Sequence, residues 1–346
     1  MNQRSSKTAT DRGAIALLSG GADSILAVSL IRRQGIPVTA INFSTCFFDK
    51  NEAALGRLEQ LCARLDAAFE QVYLGDEYLR MLARPKFGYG NGFNPCIDCH
   101  IMMLQTARGM MAARGAGFVI SGEVLGQRPM SQHLQALNIV ERESGLRGRL
   151  LRPLSAKLLP PTFPELKGLV DRSRLLDVSG RSRRRQIELA AELGIEQLPG
   201  SGGGCPLTEK AFGNRARDIF EHAEGGIPSQ DDALLLRFGR HFRKEASYKI
   251  VVGRNMSDND RLELAARPGD LLFTTPDRER YVGPIVLARG EIPREERAWI
   301  AALMLRYADV DKGAREEVAV RDDHGRLLEL VAALPMDPEE VKKYMI

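Results

Sequence analysis

Short apolar runs alternate with amphipathic segments along the first 124 residues of the chain. The runs at 14–18, 38–43 and 118–120 have the composition of buried strands, and the segments at 24–33 and 102–114 carry apolar positions at helical spacing. Parallel sheets covered by helices produce this alternation. The pattern therefore predicts an α/β fold with a doubly wound parallel sheet.

Downstream of this region the rhythm changes twice. Residues 123–164 are rich in proline and glycine, which predicts loops, and long loops on an α/β scaffold commonly carry the functional site. The stretch from Gly225 to Asp232 predicts a domain boundary, and beyond it short β-like runs surround one helical segment. We therefore predict two domains, residues 1–228 and a small α+β domain at residues 229–346.

The composition narrows the class of protein. The chain has 346 residues, a formal net charge of +4 and no apolar stretch close to the roughly 20 residues that span a bilayer. These features predict a cytoplasmic protein without a membrane partner. Five cysteines are an odd number in a long chain, which argues against a disulfide framework and favours thiols with metal-binding or chemical roles.

A glycine turn with the sequence SGGADS, residues 19–24, joins the first apolar run to the first helical segment. Backbone N–H groups at such a turn and the positive end of the helix dipole bind anions, and Ser19 and Ser24 add hydroxyl donors. Asp23 suits a magnesium ion or the start of the helix. An ordinary turn that needs Gly20 and Gly21 for its backbone conformation is the alternative.

These six residues after a strand resemble the SGGxDS signature of the PP-loop ATP pyrophosphatases. The resemblance implies that ATP and Mg2+ are cofactors and that the turn holds pyrophosphate while AMP passes to a substrate oxygen. It also implies a catalytic role for Asp23. By fold analogy, Asn42 and Phe43 would hold adenine, and Gly122 would line the nucleotide site.

Three cysteines carry the second candidate chemistry. Cys96 and Cys99 form a C-x-x-C motif on a predicted loop ahead of a helix, and Cys205 follows a glycine-rich run. This spacing favours a metal, a cluster or redox chemistry. Half of a structural zinc site that also uses His100 is one alternative, and simple packing of the thiols is another.

The surrounding residues resemble the signatures of the tRNA thiouridine synthases of the same superfamily. The matching segments are NPxxxC ending at Cys99, GAGFVISG at 115–122 and a late GxC ending at Cys205. The resemblance implies that Cys99 and Cys205 are the catalytic, sulfur-handling pair. The additional Cys96 resembles a subgroup of tRNA thiolases in which three cysteines, here Cys96, Cys99 and Cys205, are metal ligands of a [4Fe-4S] cluster. A persulfide relay between two cysteines is the alternative.

Basic and polar residues in two regions are candidates for RNA contacts. One region comprises the loop after Gly122 and the arginine-rich segments that follow it; the other is the tail, where arginines alternate with aromatic rings. From Asp232 to Met345 the tail resembles the NFACT-R type of RNA-binding domain. Solvated helix faces, and strands whose rings face the core, are the alternatives. The candidates are Gln127, Arg128, Gln132, Lys157, Arg181, Arg183, Arg240, Arg243 and Arg254.

Together these patterns predict an ATP-dependent sulfurtransferase acting on tRNA or another structured RNA. It would adenylate a uridine carbonyl and replace its oxygen with sulfur. An external donor, either a persulfide derived from a cysteine desulfurase or sulfide, would supply the sulfur. The alternatives are a PP-loop ligase or amidotransferase acting on a small molecule, and a non-catalytic RNA-binding protein.

Overall fold

The computed structural model describes residues 12–48, 52–195, 204–277, 279 and 281–346. The polar opening before residue 12 and most of the glycine run before Cys205 lie outside these residues. The chain forms two compact units, Met1–Thr208 and Glu209–Ile346. The division falls earlier than the domain boundary predicted after residue 228. Asp218 accounts for the difference, because its ion pairs with Arg243 and Lys249 tie the segment around it to the second unit.

Five parallel strands form the sheet of the first unit. They are β1 (Gly13–Leu17), β2 (Val38–Ser44), β3 (Ala68–Tyr73), β4 (Ala116–Ile120) and β5 (Leu150–Leu151). Their order is β3-β2-β1-β4-β5, and each neighbouring pair is parallel. The doubly wound parallel sheet predicted from the sequence is confirmed.

Helices connect these strands, and two of them lie where the sequence predicted loops. The helices are α1 (Ala22–Arg32), α2 (Glu52–Arg64), α3 (Asp76–Ala83), α4 (Cys96–Met110), α5 (Leu134–Glu143), α6 (Phe163–Leu166) and α7 (Arg184–Glu192). Because α4 begins at Cys96, the C-x-x-C motif lies in a helical turn and not on a loop. Residues 123–164 are not all loop either, since α5 buries Leu137 and Val140 at helical spacing.

The first unit buries both faces of its sheet. Ile15 and Val119 belong to a core formed with α4, whereas Phe118 and Ile120 belong to a core formed with α1. A sheet covered on both sides has apolar residues at successive positions, with no alternation. This is why the runs that became β1 and β4 are continuously apolar in the sequence.

An antiparallel sheet of six strands forms the second unit. The strands are β6 (Arg240–Phe242), β7 (Tyr248–Val252), β8 (Leu271–Thr274), β9 (Val286–Gly290), β10 (Glu316–Arg321) and β11 (Leu327–Ala333). The helices are α8 (Lys210–Glu221), α9 (Gln230–Leu235), α10 (Met256–Leu264), α11 (Arg297–Arg306) and α12 (Pro338–Tyr344). The strand order is β11-β10-β8-β9-β7-β6. Ile300 and Met304 of α11 pack in one core of the sheet, and Leu235 of α9 and Leu262 of α10 pack in another. The predicted α+β architecture is confirmed.

The helices of the chain are short or interrupted by polar residues. Across the described ranges, no helix is both long enough and apolar enough to cross a membrane.

Candidate active site

The SGGADS turn lies at the switch point of the parallel sheet. From β1 the chain winds to β2 and β3 on one side, and β4 then pairs with the other side of β1. Such a reversal leaves a crevice at the carboxyl ends of the two central strands, where ligands bind. The turn follows β1, and residues Ser121 to Glu123 follow β4. Both segments therefore line this crevice.

The turn is held by its own hydrogen bonds. Gly20 has a φ of 81°, a backbone region that favours glycine. The Ser24 hydroxyl donates to the Gly21 carbonyl oxygen at 2.8 Å, and the Gly21 N–H donates to the Ser19 hydroxyl at 3.2 Å. Within the described chain, no side chain caps the start of α1. Its remaining N–H groups are therefore available to an anion.

Gly122 packs directly against the start of α1. A Cβ atom at this position would lie 2.5 Å from the Ser24 backbone nitrogen and 2.6 Å from the Asp23 carbonyl carbon. Only glycine permits this approach, so the end of β4 closes onto the turn. The structure thus places Gly122 next to the SGGADS turn, whose residues were predicted to bind pyrophosphate.

Asp23 and Asn42 place buried polar atoms near the carboxyl end of β1. The Asp23 Oδ2 atom accepts a hydrogen bond from Gln127 Nε2 at 3.1 Å, and its Oδ1 atom is buried without a hydrogen-bond partner among the described residues. A carboxylate oxygen in that state suits a divalent cation. Asn42 Nδ2 donates to the Leu18 carbonyl oxygen at 2.7 Å, and Phe43 packs against the core. Their adenine contact stays a prediction.

The three predicted cysteines share one neighbourhood at the start of α4. Asn94 Nδ2 donates to the Cys96 sulfur at 3.1 Å. The Phe93 N–H donates to the Leu207 carbonyl oxygen at 3.0 Å, which fastens the segment carrying Cys205 to the segment ahead of Cys96. Residues more than one hundred positions apart in the sequence are therefore neighbours.

The Cys99 thiol is half-buried near the start of α4. Burial raises its pKa to about 12, and the neighbouring Cys205 and Cys96 act in the same direction. The nearby Tyr78 hydroxyl acts in the opposite direction and lowers the pKa of Cys99. Tyr78 is fully buried beside two phenylalanine rings. Sequence reasoning missed this tyrosine, because a single ring in a helix belongs to no recognisable motif.

The thiols are close together without forming a ready metal site. In the part of the chain that the structure describes, no group of three or more His, Cys, Asp or Glu side chains is arranged to hold a metal ion. The three thiols expected as ligands of a [4Fe-4S] cluster share one neighbourhood, and the cluster itself stays a prediction.

A buried ion network joins the cysteine neighbourhood to the crevice. Glu123 Oε1 lies 2.9 Å from His100 Nδ1, and its Oε2 accepts from Arg152 Nε and Ser121 Oγ, both at 2.9 Å. Burial opposes ionisation of Glu123, yet Arg152 and His100 hold its pKa well below the usual range. His100 follows Cys99 in the chain, so the network spans both clusters. Because Arg152 lies in a run of basic residues in the sequence, nothing there indicated that it pairs with Glu123.

The RNA-contact candidates of the first unit differ in exposure. Gln132 is buried, and Gln127 contacts Asp23 in the crevice. The Lys157 ammonium is exposed and donates to the Ser173 carbonyl oxygen at 2.9 Å. The remaining exposed or half-buried candidates are Arg128, Arg181 and Arg183.

The candidates of the second unit are partly engaged in the fold. The Arg240 guanidinium lies 4.6 Å from the centre of the Tyr307 ring, and Arg254 pairs with Asp258 at 2.6 Å. Arg243 is mostly buried and donates to a carboxylate and to two backbone carbonyl oxygens. All of these RNA contacts stay predictions.

Two family models match separate parts of the chain. Residues 9–157 match the model described as Thiamine biosynthesis protein (ThiI), and residues 239–345 match the one described as NFACT protein RNA binding domain. No curated protein has a significant match to the chain.

Three solved structures illustrate what the chain is similar to. An NH3-dependent NAD synthetase from Campylobacter jejuni is 20% identical over 33% of this chain and 48% of its own, with a TM-score of 0.27. A 4-thiouridine synthetase in complex with RNA and ATP is 18% identical over 53% and 51%, with a TM-score of 0.35. The U34-tRNA thiolase NcsA from Methanococcus maripaludis, with its [4Fe-4S] cluster, is 17% identical over 65% and 70%, with a TM-score of 0.33. The chain spans about half the length of the first two.

The crevice at the SGGADS turn lies within the first matched segment, and the antiparallel sheet lies within the second. The chain therefore contains one segment that is similar to the ThiI model and another that is similar to the NFACT RNA binding domain model.

Proposed function

We propose that the chain is an ATP-dependent RNA sulfurtransferase that acts on a tRNA uridine. The observation that carries this proposal is the link between the PP-loop turn and the cysteines. Gly122 packs on the start of α1, and the adjacent Glu123 contacts His100, which follows Cys99. The ThiI and NFACT-type segments support the same assignment.

The proposed reaction has two steps. In the first step, the N–H groups of the turn would hold the pyrophosphate of ATP, and Asp23 would hold a magnesium ion that neutralises its charge. The uridine carbonyl oxygen attacks the α-phosphorus and pyrophosphate leaves, which makes that oxygen part of a good leaving group. A sulfur nucleophile then attacks the uridine carbon that carries this oxygen. AMP departs and takes the former uridine oxygen with it.

We also propose that Cys96, Cys99 and Cys205 present the sulfur. A [4Fe-4S] cluster held by their three thiolates would leave one iron site for sulfide when bound. The Asn94 amide donates to the Cys96 sulfur and so orients this side chain at the start of α4. A persulfide relay between Cys99 and Cys205 is the second form of the proposal. The external sulfur donor and a cytoplasmic location remain parts of the proposal.

The test uses protein purified without oxygen. Iron, acid-labile sulfide and zinc are measured, and candidate tRNAs are digested and searched for thiolated nucleosides by mass spectrometry. About four irons per chain would support the cluster. We expect Asp23→Asn to abolish pyrophosphate release and Cys99→Ala to abolish thiolation, while Cys62→Ala, at a buried cysteine outside this neighbourhood, retains both.

Cys96→Ala separates the two sulfur routes. Loss of both iron and thiolation supports the cluster, whereas full thiolation without iron supports the relay. If wild-type protein releases no pyrophosphate from ATP with any RNA and forms no thiolated nucleoside, the proposed function is wrong.

A further inference from the structure

A cleft of about 150 Å³ opens in the second unit between helices α8 and α9 and strands β7 and β9. His222 follows α8 on one wall, and Arg243, Lys249, Arg267 and Arg289 lie around the others. Helices α8 and α9 precede the segment 239–345 that the NFACT family model covers. The cleft thus combines residues inside and outside that segment.

Asp218 is shared by several positive groups at one end of the cleft. Its carboxylate pairs with Arg243 at 2.6 Å and with Lys249 at 2.7 Å, and His222 Nδ1 lies 3.6 Å from it. Both cations are mostly buried, with side chains 13% and 11% exposed. One carboxylate therefore faces both the Arg243 guanidinium and the Lys249 ammonium at this end of the cleft.

The other end has balanced charge. Arg289 pairs with Asp270 at 2.7 Å and with Asp232 at 2.8 Å, and Arg267 lies 3.3 Å from Asp232. Two carboxylates here face two arginines, so the positive excess of the cleft is located at Lys249 and Arg243.

The surroundings of Lys249 oppose its positive charge. Burial lowers its pKa to about 8, and Arg243 acts in the same direction while Asp218 opposes the change. In the described chain its ammonium donates to Asp218 alone, which leaves further N–H groups for a ligand. An anion in the cleft would give these groups a partner and stabilise the charged lysine.

We propose that this cleft binds a phosphodiester group of RNA, and that α8 and α9 belong to the RNA-binding module. The charge of one phosphodiester matches the excess of the walls, and Lys249, His222 and the half-exposed Arg267 supply donors for its oxygens. A metal cation would add to the positive excess, and an apolar ligand would leave the charged walls without partners. The identity of the polymer as RNA rests on the proposed function.

The test measures binding of a labelled single-stranded RNA to the full chain by fluorescence anisotropy at several salt concentrations. We expect Lys249→Met and Arg267→Gln each to weaken binding about tenfold, as for the loss of one charge-assisted hydrogen bond. Each should also reduce the salt slope by about 0.7, the value for one phosphate contact on a single strand. The matched control is Arg326→Gln, which removes an exposed arginine paired with Asp322 away from the cleft.

Thermal unfolding of every variant accompanies the binding measurement. Arg267 is 42% exposed, so its substitution keeps the test valid even if Lys249→Met lowers stability. Unchanged affinity and salt slope in folded Arg267→Gln would overturn the proposal. A cleft that binds inorganic phosphate but not RNA would also overturn the proposal. Phosphate would then raise the unfolding temperature in a way that depends on Lys249, while Lys249→Met would leave the affinity for RNA unchanged. RNA binding through the cleft without thiolation would refute the sulfurtransferase and leave this site in place.

Discussion

Gly122 shows, at the scale of one residue, how an absent side chain shapes the crevice. Its backbone lies so close to α1 that a Cβ atom would approach the Ser24 nitrogen to 2.5 Å. We expect Gly122→Ala to push β4 away from the turn, to cost about 1–3 kcal/mol of unfolding free energy and to abolish ATP binding. Denaturant unfolding and calorimetric titration with ATP measure the two effects.

Gly109→Ala is the matched control for this substitution. Gly109 lies in α4 with open space where its Cβ would be. Alanine there should stabilise the helix by up to about 1 kcal/mol and leave ATP binding unchanged. Equal ATP affinity of wild type and Gly122→Ala would contradict the placement of ATP at the turn.

Arg152 and Glu123 form a buried ion pair in which each side chain compensates the charge of the other. Their side chains are 3% and 6% exposed, and the ion pair is 2.9 Å long. Arg152→Leu would leave the buried Glu123 carboxylate with His100 and Ser121 as its hydrogen-bond partners, and we expect a loss of about 3–5 kcal/mol of unfolding free energy. Adding Glu123→Gln should restore a large part, because a neutral amide no longer requires a cation. Denaturant unfolding of both single variants and the double variant measures the coupling, and strictly additive effects would contradict it.

At the scale of the element, strand β6 carries a buried histidine that makes the stability of the second unit depend on pH. His241 Nε2 lies 2.8 Å from the Phe238 carbonyl oxygen. Burial, reinforced by the positive charges of Lys249, Arg215 and Arg254, holds the pKa of His241 well below its ordinary value. The unfolded chain therefore binds a proton near pH 6.5 that the folded unit does not bind.

The sign of the resulting pH dependence follows from this difference in bound protons. A histidine whose pKa is depressed by folding contributes stability above the unfolded pKa and loses it as the pH falls. The second unit should lose up to about 1.4 kcal/mol per pH unit below about pH 6.5. His241→Gln removes this titration, so its unfolding free energy should depend less on pH between about 4.5 and 6.5. Equal slopes for variant and wild type would contradict the role of His241.

At the scale of the whole molecule, each unit has its own hydrophobic core. Phe118 and Ile120 lie in a core of the first unit, and Phe273 and Met304 lie in a core of the second. Separate cores predict more than one transition in calorimetric thermal unfolding. Because a ligand stabilises the unit that binds it, ATP with Mg2+ should raise the first unit's transition and single-stranded RNA the second's.

The variants identify which transition belongs to which unit. Gly122→Ala should lower one transition, and the effect of His241→Gln on pH dependence should be confined to the other. A single transition that both ligands shift equally would contradict the assignment of separate ligands to the two units.

The sequence by itself determined the features that contiguous residues encode. The apolar runs of β1 and β4 predicted a sheet buried on both faces, and the SGGADS turn after β1 predicted an anion site. The sequence did not reveal β3, because none of its six residues is fully buried and it therefore lacks a clear apolar run. It also placed the start of α4 too late, since the cysteines gave no helical signal of their own.

The tertiary structure alone decided which distant side chains meet. Tyr78 lies beside Cys99, Arg152 pairs with Glu123, and Asp218 joins α8 to the antiparallel sheet. Each partner is an ordinary tyrosine, arginine or aspartate in the sequence, with no local pattern to separate it from exposed residues of the same type. Such pairs depend on how strands and helices pack, because burial makes an ionic or polar group require a partner that only the folded chain can supply.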